Sequence, residues 1–138
     1  MSEPWSMAEI VARDDHRVFS LAEVRALFPL VQRITRHAYF ELDPVRRRMA
    51  RLVPGHPAQR EVEAVYETIV RRWLGKMQRL GLLVRGLWLV DFDTGDGFLC
   101  WRFPQLKVGH YYAYGKAYTD RRPIDEVVEE IDPDWAHG

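Results

Sequence analysis

The pattern of apolar positions along this chain changes its period near Gly81. Before that residue, apolar side chains recur at steps of three and four, the spacing of one face of an α-helix. After it, apolar and polar residues alternate, which is typical of β-strands. The pattern predicts an α+β fold: a kinked antiparallel helical hairpin packed on a small antiparallel sheet of about three strands, with a short C-terminal helix.

The first predicted helix begins at Ser20, because Ser20 and Glu23 form the S-x-x-E pattern of a capping box. Its apolar stripe is interrupted at Pro29 and Pro44. We expect kinks or short breaks there, because each proline removes a backbone donor. Asp43 followed by Pro44 indicates a fresh N-cap and a new helix start.

A second long helix follows the turn at residues 53–57 and ends at Gly81, the expected C-cap. Its apolar residues follow a nearly unbroken heptad pattern. Two long stripes joined by a short turn predict the antiparallel hairpin.

Residues 87–103 hold two apolar runs that flank residues 93–97, a cluster that tolerates turn geometry. We predict a β-hairpin here, with Phe92 facing Phe98. One face would carry Trp88, Val90, Phe92, Phe98, Cys100 and Arg102, and the other Leu87, Leu89, Asp91, Leu99, Trp101 and Phe103. Both faces would be largely apolar, so both would need cover.

A third strand is predicted from Lys107 to Gly115 and a short helix over residues 123–131. The predicted organisation is a flexible segment at 1–18, one α+β domain at 19–131 (helical hairpin 19–81, β-meander 82–118, helix 123–131) and an acidic tail at 132–138.

Charge is balanced overall but not along the chain. Twenty basic and twenty acidic residues cancel, so no global field favours nucleic acid or a membrane surface as a partner. Five arginines and no acid lie between residues 44 and 60, whereas seven acids lie between residues 120 and 138. We expect the acidic stretch from Asp125 to Asp134 to lie near arginines of the first helical region, within the chain or across a dimer.

Cysteine usage and hydropathy favour a cytoplasmic protein. Cys100 is the sole cysteine, which excludes an internal disulfide and suits a reducing compartment. The first 18 residues lack the features of a signal peptide. No uncharged apolar run approaches the length of a membrane span.

Several blocks of the sequence together resemble a bacterial family of unknown function. They are Phe19–Glu23, Leu27–Val31, Leu89–Phe92, Leu99–Arg102 and Arg121–Ile124. In that family a helical half precedes a pattern close to L-V-D-F, L-C-W-R-x-G-E, W-H and G-F-x-x-R-x-P. The resemblance spans residues 19 to 124 and implies a small soluble bacterial protein, with no activity attached.

The chain departs from that pattern at polar positions. Pro104 and Gln105 stand where the family has glycine and glutamate, and Tyr111 and Tyr112 stand where it has tryptophan and histidine. If the family's carboxylates and histidine make a polar or metal site, this chain has lost most of it. His110 lies two positions before the family's histidine and cannot inherit its role.

The most suggestive constellation is an aromatic stripe on the third strand. His110, Tyr112 and Tyr114 alternate there, and Tyr118 and Arg121 follow. Such residues can stack a planar ligand, form a protein interface or simply cap the core of the sheet. All three roles stay open at this stage.

Other candidate sites are weaker. The five histidines show no metal-ligand spacing, and Asp91, Asp93 and Asp96 miss the EF-hand pattern, so no metal or cofactor is predicted. Cys100 is more typical of a buried apolar residue than of a nucleophile. The first helical region also has a cluster of arginines, Arg46, Arg47, Arg48 and Arg51. Since the net charge is zero, we expect them to form a solvated face, or one paired with the acidic tail, rather than a nucleic-acid site.

Two functions from different classes remain. The first is a non-catalytic binding or assembly module that forms a homodimer through the sheet side and presents its sheet or arginine-rich helix to a bacterial protein partner. The second is a small-molecule or metal-dependent enzyme with a pocket between sheet and helices, in which His110 is base or ligand, Arg102 or Arg121 an anion clamp, and Asp91 an orienting carboxylate.

No catalytic residue is assigned. The candidate ligand-binding residues are Asp91, Arg102, His110, Tyr112, Tyr114, Tyr118 and Arg121.

Overall fold

The computed structural model of this chain describes residues 16–131. Most of the predicted flexible N-terminal segment, and all of the predicted acidic tail at 132–138, lie outside the described residues. Across residues 16–131 there are three α-helices, five strands and one 3-10 turn. They are α1 (Leu21–Arg51), α2 (Gln59–Arg79), β1 (Leu83–Gly86), β2 (Leu89–Asp93), β3 (Gly97–Arg102), β4 (His110–Ala113), the turn Tyr118–Asp120, β5 (Arg122–Pro123) and α3 (Ile124–Ile131).

The predicted α+β class is confirmed, but the sheet is larger than expected. It is antiparallel, with strand order β1-β2-β3-β4-β5, so each strand pairs with its neighbour in sequence. The predicted number of strands is too low because β1 and β5 are short and lack clear alternation.

Helix α1 begins as predicted, with a capping box at Ser20. The Ser20 hydroxyl accepts the Glu23 backbone N–H at 3.1 Å, and the Ser20 N–H donates to the Glu23 carboxylate at 2.9 Å. The helix then continues through Pro29 and Pro44, so the expected break and the fresh N-cap at Asp43 are wrong.

Position explains why both prolines are tolerated. Pro29 and Pro44 are both exposed, so the carbonyls that lose a helical donor can bond to water instead. On the opposite side, Val31 and Leu42 are fully buried and hold α1 against the rest of the molecule.

Helices α1 and α2 form the predicted antiparallel hairpin, and one polar bond crosses their contact. The Trp73 indole N–H donates to the Thr35 hydroxyl at 2.9 Å, in a place where Thr35 is fully buried. Around it the core is apolar and includes Val24, Val31, Leu42, Val70 and Met77.

Strands β1 and β2 are joined by a tight turn at Leu87 and Trp88. Trp88 has a positive φ of 65°, a conformation that costs energy for a residue with a large side chain. Its ring is buried and packs edge-on against Trp73, with ring centroids 5.0 Å apart. Burial of the ring offsets the backbone cost, and neither of the two turn positions carries the glycine or asparagine that would signal the turn.

The predicted hairpin of β2 and β3 exists, but its register differs by one residue. Phe92 pairs with Leu99, and Phe98 pairs with Asp93. A shift of one residue moves every side chain of a strand to the other face. The predicted assignment of β3 side chains to faces is therefore wrong.

With the observed register, the two faces differ sharply. The inner face, which packs on the helices, carries Val84, Val90, Phe92, Leu99, Trp101 and Tyr111. The outer face carries Leu83, Leu89, Asp91, Asp93, Phe98, Cys100, Arg102, His110 and Tyr112. The inner face is largely apolar, whereas the outer face mixes apolar and charged side chains, so the expectation of two largely apolar faces holds for the inner face alone.

Helix α3 lies on the inner side, beside the start of α1. Ile124 and Val127 are buried and belong to the same core as Leu21 and Val24. No described helix is long and apolar enough to cross a membrane. Buried residues of all three helices belong to the core on the inner face, so no described helix covers the outer face.

We predict that Thr35→Val destabilises the protein by about 1–2 kcal/mol, because the buried Trp73 N–H loses its acceptor while the shape of the side chain is kept. Urea unfolding followed by tryptophan fluorescence measures this. Thr68→Val is the matched control: its hydroxyl bonds the Ala64 carbonyl on an exposed surface, so its effect should stay within about 0.5 kcal/mol. Equal effects for the two variants would contradict the role given to the buried bond.

Candidate functional site

The outer face of the sheet gathers most of the chemically active side chains of the described chain. Asp91, Cys100 and His110 are paired neighbours on β2, β3 and β4. Tyr112 follows on β4 and Tyr114 directly after it, and the segment before β5 brings Tyr118 and Arg121. Antiparallel pairing thus assembles residues that are up to 30 positions apart in the sequence.

Asp91 lies at the centre of this face and is fully buried. Its Oδ2 accepts a hydrogen bond from Arg85 Nε at 2.8 Å and a second from the Tyr112 hydroxyl. Its Oδ1 has no hydrogen-bond partner among the described residues. One carboxylate oxygen is thus saturated and the other is unused.

Two effects set the pKa values in this cluster: the burial of each group, and the hydrogen bonds and charges of its neighbours. Burial raises the pKa of Asp91, although hydrogen bonds from Tyr112 and Arg85 and the charge of Arg85 favour the ionised form. Burial alone would lower the pKa of Arg85, but the bond to Asp91 and its charge raise it. Burial and the bond to Asp91 also raise the pKa of Tyr112. Asp91 and Arg85 therefore form an ion pair that depends on Tyr112.

A second acidic cluster stands at the tip of the hairpin. Asp93 accepts hydrogen bonds from the Tyr114 hydroxyl, from Gly95 N–H at 2.9 Å and from His16 Nε2 at 2.8 Å. Burial acts to raise the pKa of Asp93, but these bonds outweigh it and lower the pKa. The Phe19 N–H also donates to the Asp93 carbonyl at 2.7 Å. This cluster ties the segment before α1 to the sheet.

Cys100 sits in a protected position. It is buried, and its thiol donates to the His110 carbonyl oxygen at 3.6 Å. Burial raises the pKa of Cys100 to about 12, and the nearby Asp91 charge adds to the rise. Since the thiolate is the nucleophile, this raised pKa disfavours reaction of Cys100 at neutral pH.

Arginine and aromatic side chains form the accessible part of the outer face. The Arg121 guanidinium lies 4.4 Å from the centroid of the Tyr118 ring, and Arg85 lies 4.9 Å from that of Phe98. These are cation–π distances. Arg102 and Tyr114 are exposed, and Tyr114 retains 46% of its accessible surface. The accessible part of the outer face therefore combines aromatic rings with positive charge.

The structure places the seven predicted candidates on this face, but in different settings. Asp91 and Tyr112 are buried and bonded to each other, whereas Arg102 and Arg121 are exposed. His110 is half-buried. Their role in binding stays a prediction.

Sequence reasoning missed Arg85, His16 and the importance of Asp93. Arg85 could be found only by recognising β1, where it follows Leu82, Leu83 and Val84. His16 is 77 positions from its partner, and no local pattern indicates that pairing.

The other charged regions lie away from this face. Arg47 pairs with Asp43 at 2.8 Å, one turn earlier on α1. On α3, Glu126 pairs with Arg122 at 4.0 Å, and Asp125 lines a pocket with Arg25 of α1. The part of the expected acidic stretch beyond residue 131 lies outside the described residues. Among residues 16–131 no group of three His, Cys, Asp or Glu side chains could hold a metal ion.

Comparison with known proteins identifies one family. A model described as an uncharacterised conserved protein, DUF2203, matches residues 17–124. The match runs from the segment ahead of α1 to the first residue of α3, so it includes both helices of the hairpin and the whole sheet. No curated protein and no solved structure matches the chain.

We predict that Tyr112→Phe destabilises the protein by about 1.5–3 kcal/mol at neutral pH, the usual loss for a hydrogen bond to a charged group. The hydroxyl favours the ionised carboxylate, so the loss should shrink as the pH falls through the folded pKa of Asp91. In the wild-type protein, the raised pKa means that Asp91 contributes less to the free energy of unfolding as the pH rises from the ordinary carboxyl pKa toward the folded pKa. Urea unfolding at several pH values measures both trends.

Tyr114→Phe is the matched control for this prediction, because its partner Asp93 lies nearer to solvent and Tyr114 is 46% exposed. Its effect should be smaller. A Tyr112→Phe loss that is the same at every pH would contradict the ion pair.

We also predict that Cys100 reacts with a thiol reagent such as Ellman's reagent at least about a hundredfold more slowly in the folded protein than in urea, because burial disfavours the thiolate. Absorbance measured over time in native buffer and in urea checks this. Rapid labelling of the native protein would contradict the buried setting of the thiol.

Proposed function

The chain belongs to the DUF2203 family of uncharacterised conserved proteins, and for this member we propose a non-catalytic binding or assembly role as a homodimer formed through the outer face of the sheet. The centre of this face, at Asp91, Cys100 and Tyr112, is buried by neighbouring side chains, and the single observation that carries the proposal is that its aromatic and arginine rim has no cover from any described helix. Phe98 and Tyr118 are half-buried there, and Tyr114 is exposed. Tyrosine and arginine are the residues enriched at protein interfaces.

The charges of this face support pairing of two identical copies. Arg102 and Arg121 are exposed, and so are Asp96 and Asp120 on the adjacent loops. A two-fold symmetric interface brings the same patch of both copies together, so a patch needs both signs of charge to complement itself. The outer face meets that condition.

The edges of the sheet favour contact through the face rather than through strand pairing. β5 has only two residues and includes Pro123, which lacks an N–H. At the other edge, the pairing of β1 is irregular between Val84 and Gly86. Short, irregular or proline-containing edge strands disfavour the addition of another strand. Two copies would therefore meet face to face.

The chemistry of the buried residues supports a non-catalytic role. The Cys100 thiol has its pKa raised to about 12, and Asp91 already serves as the acceptor for Arg85 and Tyr112. Among the described residues, His110 has no carboxylate partner that would orient its ring as a general base. These groups stabilise the sheet rather than activate a substrate.

One observation favours the second candidate, a small-molecule site or enzyme centred near His110. The unused Oδ1 of Asp91 is a buried acceptor on the same row of residues as Cys100 and His110. A ligand with an N–H or O–H donor could satisfy it while Arg121 meets an anionic group. Native mass spectrometry and elemental analysis of untreated protein would test this, because a bound ligand or metal would add mass beyond that of the chain.

We predict that light scattering at low micromolar concentration gives twice the chain mass of 16.3 kDa. Arg102→Glu should shift the protein toward monomer, because it unbalances the charges of the outer face. Arg60→Glu is the matched control, an exposed arginine on α2 far from the sheet face, and should leave the dimer unchanged. Tyr112 is unsuitable for this test because it is buried against Asp91. A wild-type monomer would contradict the proposal.

A further inference from the structure

A second surface of the molecule lies along one side of α1, against the connection between β3 and β4. We call it the α1 seam, and it is lined on the helix by Leu21, Arg25, Phe28, Gln32, Arg36 and Tyr39. These residues are three or four positions apart, so they share one side of the helix. Residues 103–108 form the opposite wall.

Two pockets open along this seam. The smaller, of about 190 Å³, lies between Val24, Phe28 and Val108 near the start of α3. The larger, of about 450 Å³, is lined by Tyr39, Phe40, Phe103, Pro104 and Leu106, with Gln32 and Arg36 at its side. The larger pocket is therefore mainly apolar and has room for a large side chain.

Two apolar residues beside the larger pocket are unusually exposed. Leu106 retains 87% of its accessible surface and Phe40 retains 59%. Both residues line one concave pocket, so together they make an apolar anchor site rather than scattered exposed residues.

The rim of the seam is positively charged. Arg25, Arg36 and Lys107 are exposed along it and, in the described part of the chain, none of them has an ion-pair partner. Asp125 at the smaller pocket is the acid that faces them. The seam thus combines an excess of positive charge with one apolar pocket.

We propose that the α1 seam docks an extended acidic segment of a partner protein, with one large apolar side chain in the pocket beside Phe40 and Leu106. The carboxylates of that segment pair with Arg36, Arg25 and Lys107. This use of charge together with one apolar anchor is common where a protein recognises a peptide. The inference rests on the protein being a binding module, but not on its forming a dimer.

Charge density argues for a peptide over a nucleic acid. The seam from Arg25 to Phe40 is about 22 Å long, at about 1.5 Å per helical residue. A DNA duplex carries one negative charge per about 1.7 Å of its axis, which three cations over that length match poorly. An apolar pocket at one end of the seam suits a buried side chain better than a phosphate backbone.

A second copy of this chain is a poorer occupant. If two copies met through this seam, the two-fold symmetry would bring Arg25, Arg36 and Lys107 of each copy against the same cations of the other. Like charges placed directly opposite each other weaken an interface. The seam therefore remains available when two copies pair through the outer face of the sheet.

The test uses the full chain and fluorescence anisotropy. The probe is a fluorescein-labelled peptide with one tryptophan at the centre of six aspartate and glutamate residues. We expect saturable binding that weakens as the salt concentration rises. Replacing the tryptophan by serine, or the acids by lysine, should each weaken binding at least about tenfold, because each change removes one of the two recognition elements.

Variants locate the site. Phe40→Ser combined with Leu106→Ser should weaken binding at least about tenfold, and Arg36→Gln should weaken it and lessen its dependence on salt. Val65→Ser, an exposed apolar residue on α2, and Arg48→Gln, on the opposite side of α1, are the matched controls and should not change it. Thermal unfolding by circular dichroism checks that every variant is folded.

Three results would overturn the proposal: no binding of the acidic peptide, equal loss of binding in the control variants, or tighter binding of a single-stranded thymidine oligonucleotide of matched charge. Light scattering on the same samples separates this outcome from the dimer. Peptide binding by a monomeric protein would support the α1 seam as a docking site and contradict the dimer through the outer face. A dimer that does not bind the peptide would support the dimer and contradict the docking site.

Discussion

The alignment of β2 with β3 is the constraint on which the rest of this molecule depends. Phe92 opposite Leu99 and Val90 opposite Trp101 place four large apolar side chains on the face that meets the helices. The alternative alignment, one residue away, would send Leu99 and Trp101 outward. Burial of a large apolar side chain contributes about 1.5–3 kcal/mol, so the observed register is favoured by several such contributions.

That register has a polar consequence on the other face. It directs Asp91 and Asp93 outward from the helices, into a layer formed by other side chains of the sheet and of the segments beside it, such as His16 and Tyr118. Asp91 is nevertheless fully buried there, and a buried carboxylate is costly unless it is paired. Arg85 and Tyr112 supply that pairing from β1 and β4. The outer face is therefore held together by hydrogen bonds and ion pairs, whereas the inner face is held by packing.

The helical half shows the same balance between local cost and tertiary packing. Pro29 and Pro44 each cost about 3 kcal/mol in a helix interior, yet α1 continues through both. The buried residues between and beyond them, such as Val31 and Leu42, fix the helix against α2 and the sheet. As a result α1 is long enough to cover the inner face and to leave its opposite side, with Phe40 and several arginines, to solvent.

The sequence by itself determined the features that depend on near neighbours: the capping box at Ser20, the two apolar helical stripes, the change of period at Gly81 and the hairpin loop after Asp93. Local alternation also indicated His110, Tyr112 and Tyr114, which lie on one face of the sheet or beside it, but it placed Asp91 and Arg102 on opposite faces, whereas the observed register puts them on the same one. The tertiary structure alone decided the rest. Strand register, the continuity of α1, the turn at Trp88 and the partners of Asp91 and His16 depend on contacts between residues far apart in sequence. The free energy of burial, summed over those contacts, outweighs the local preferences that a sequence pattern records.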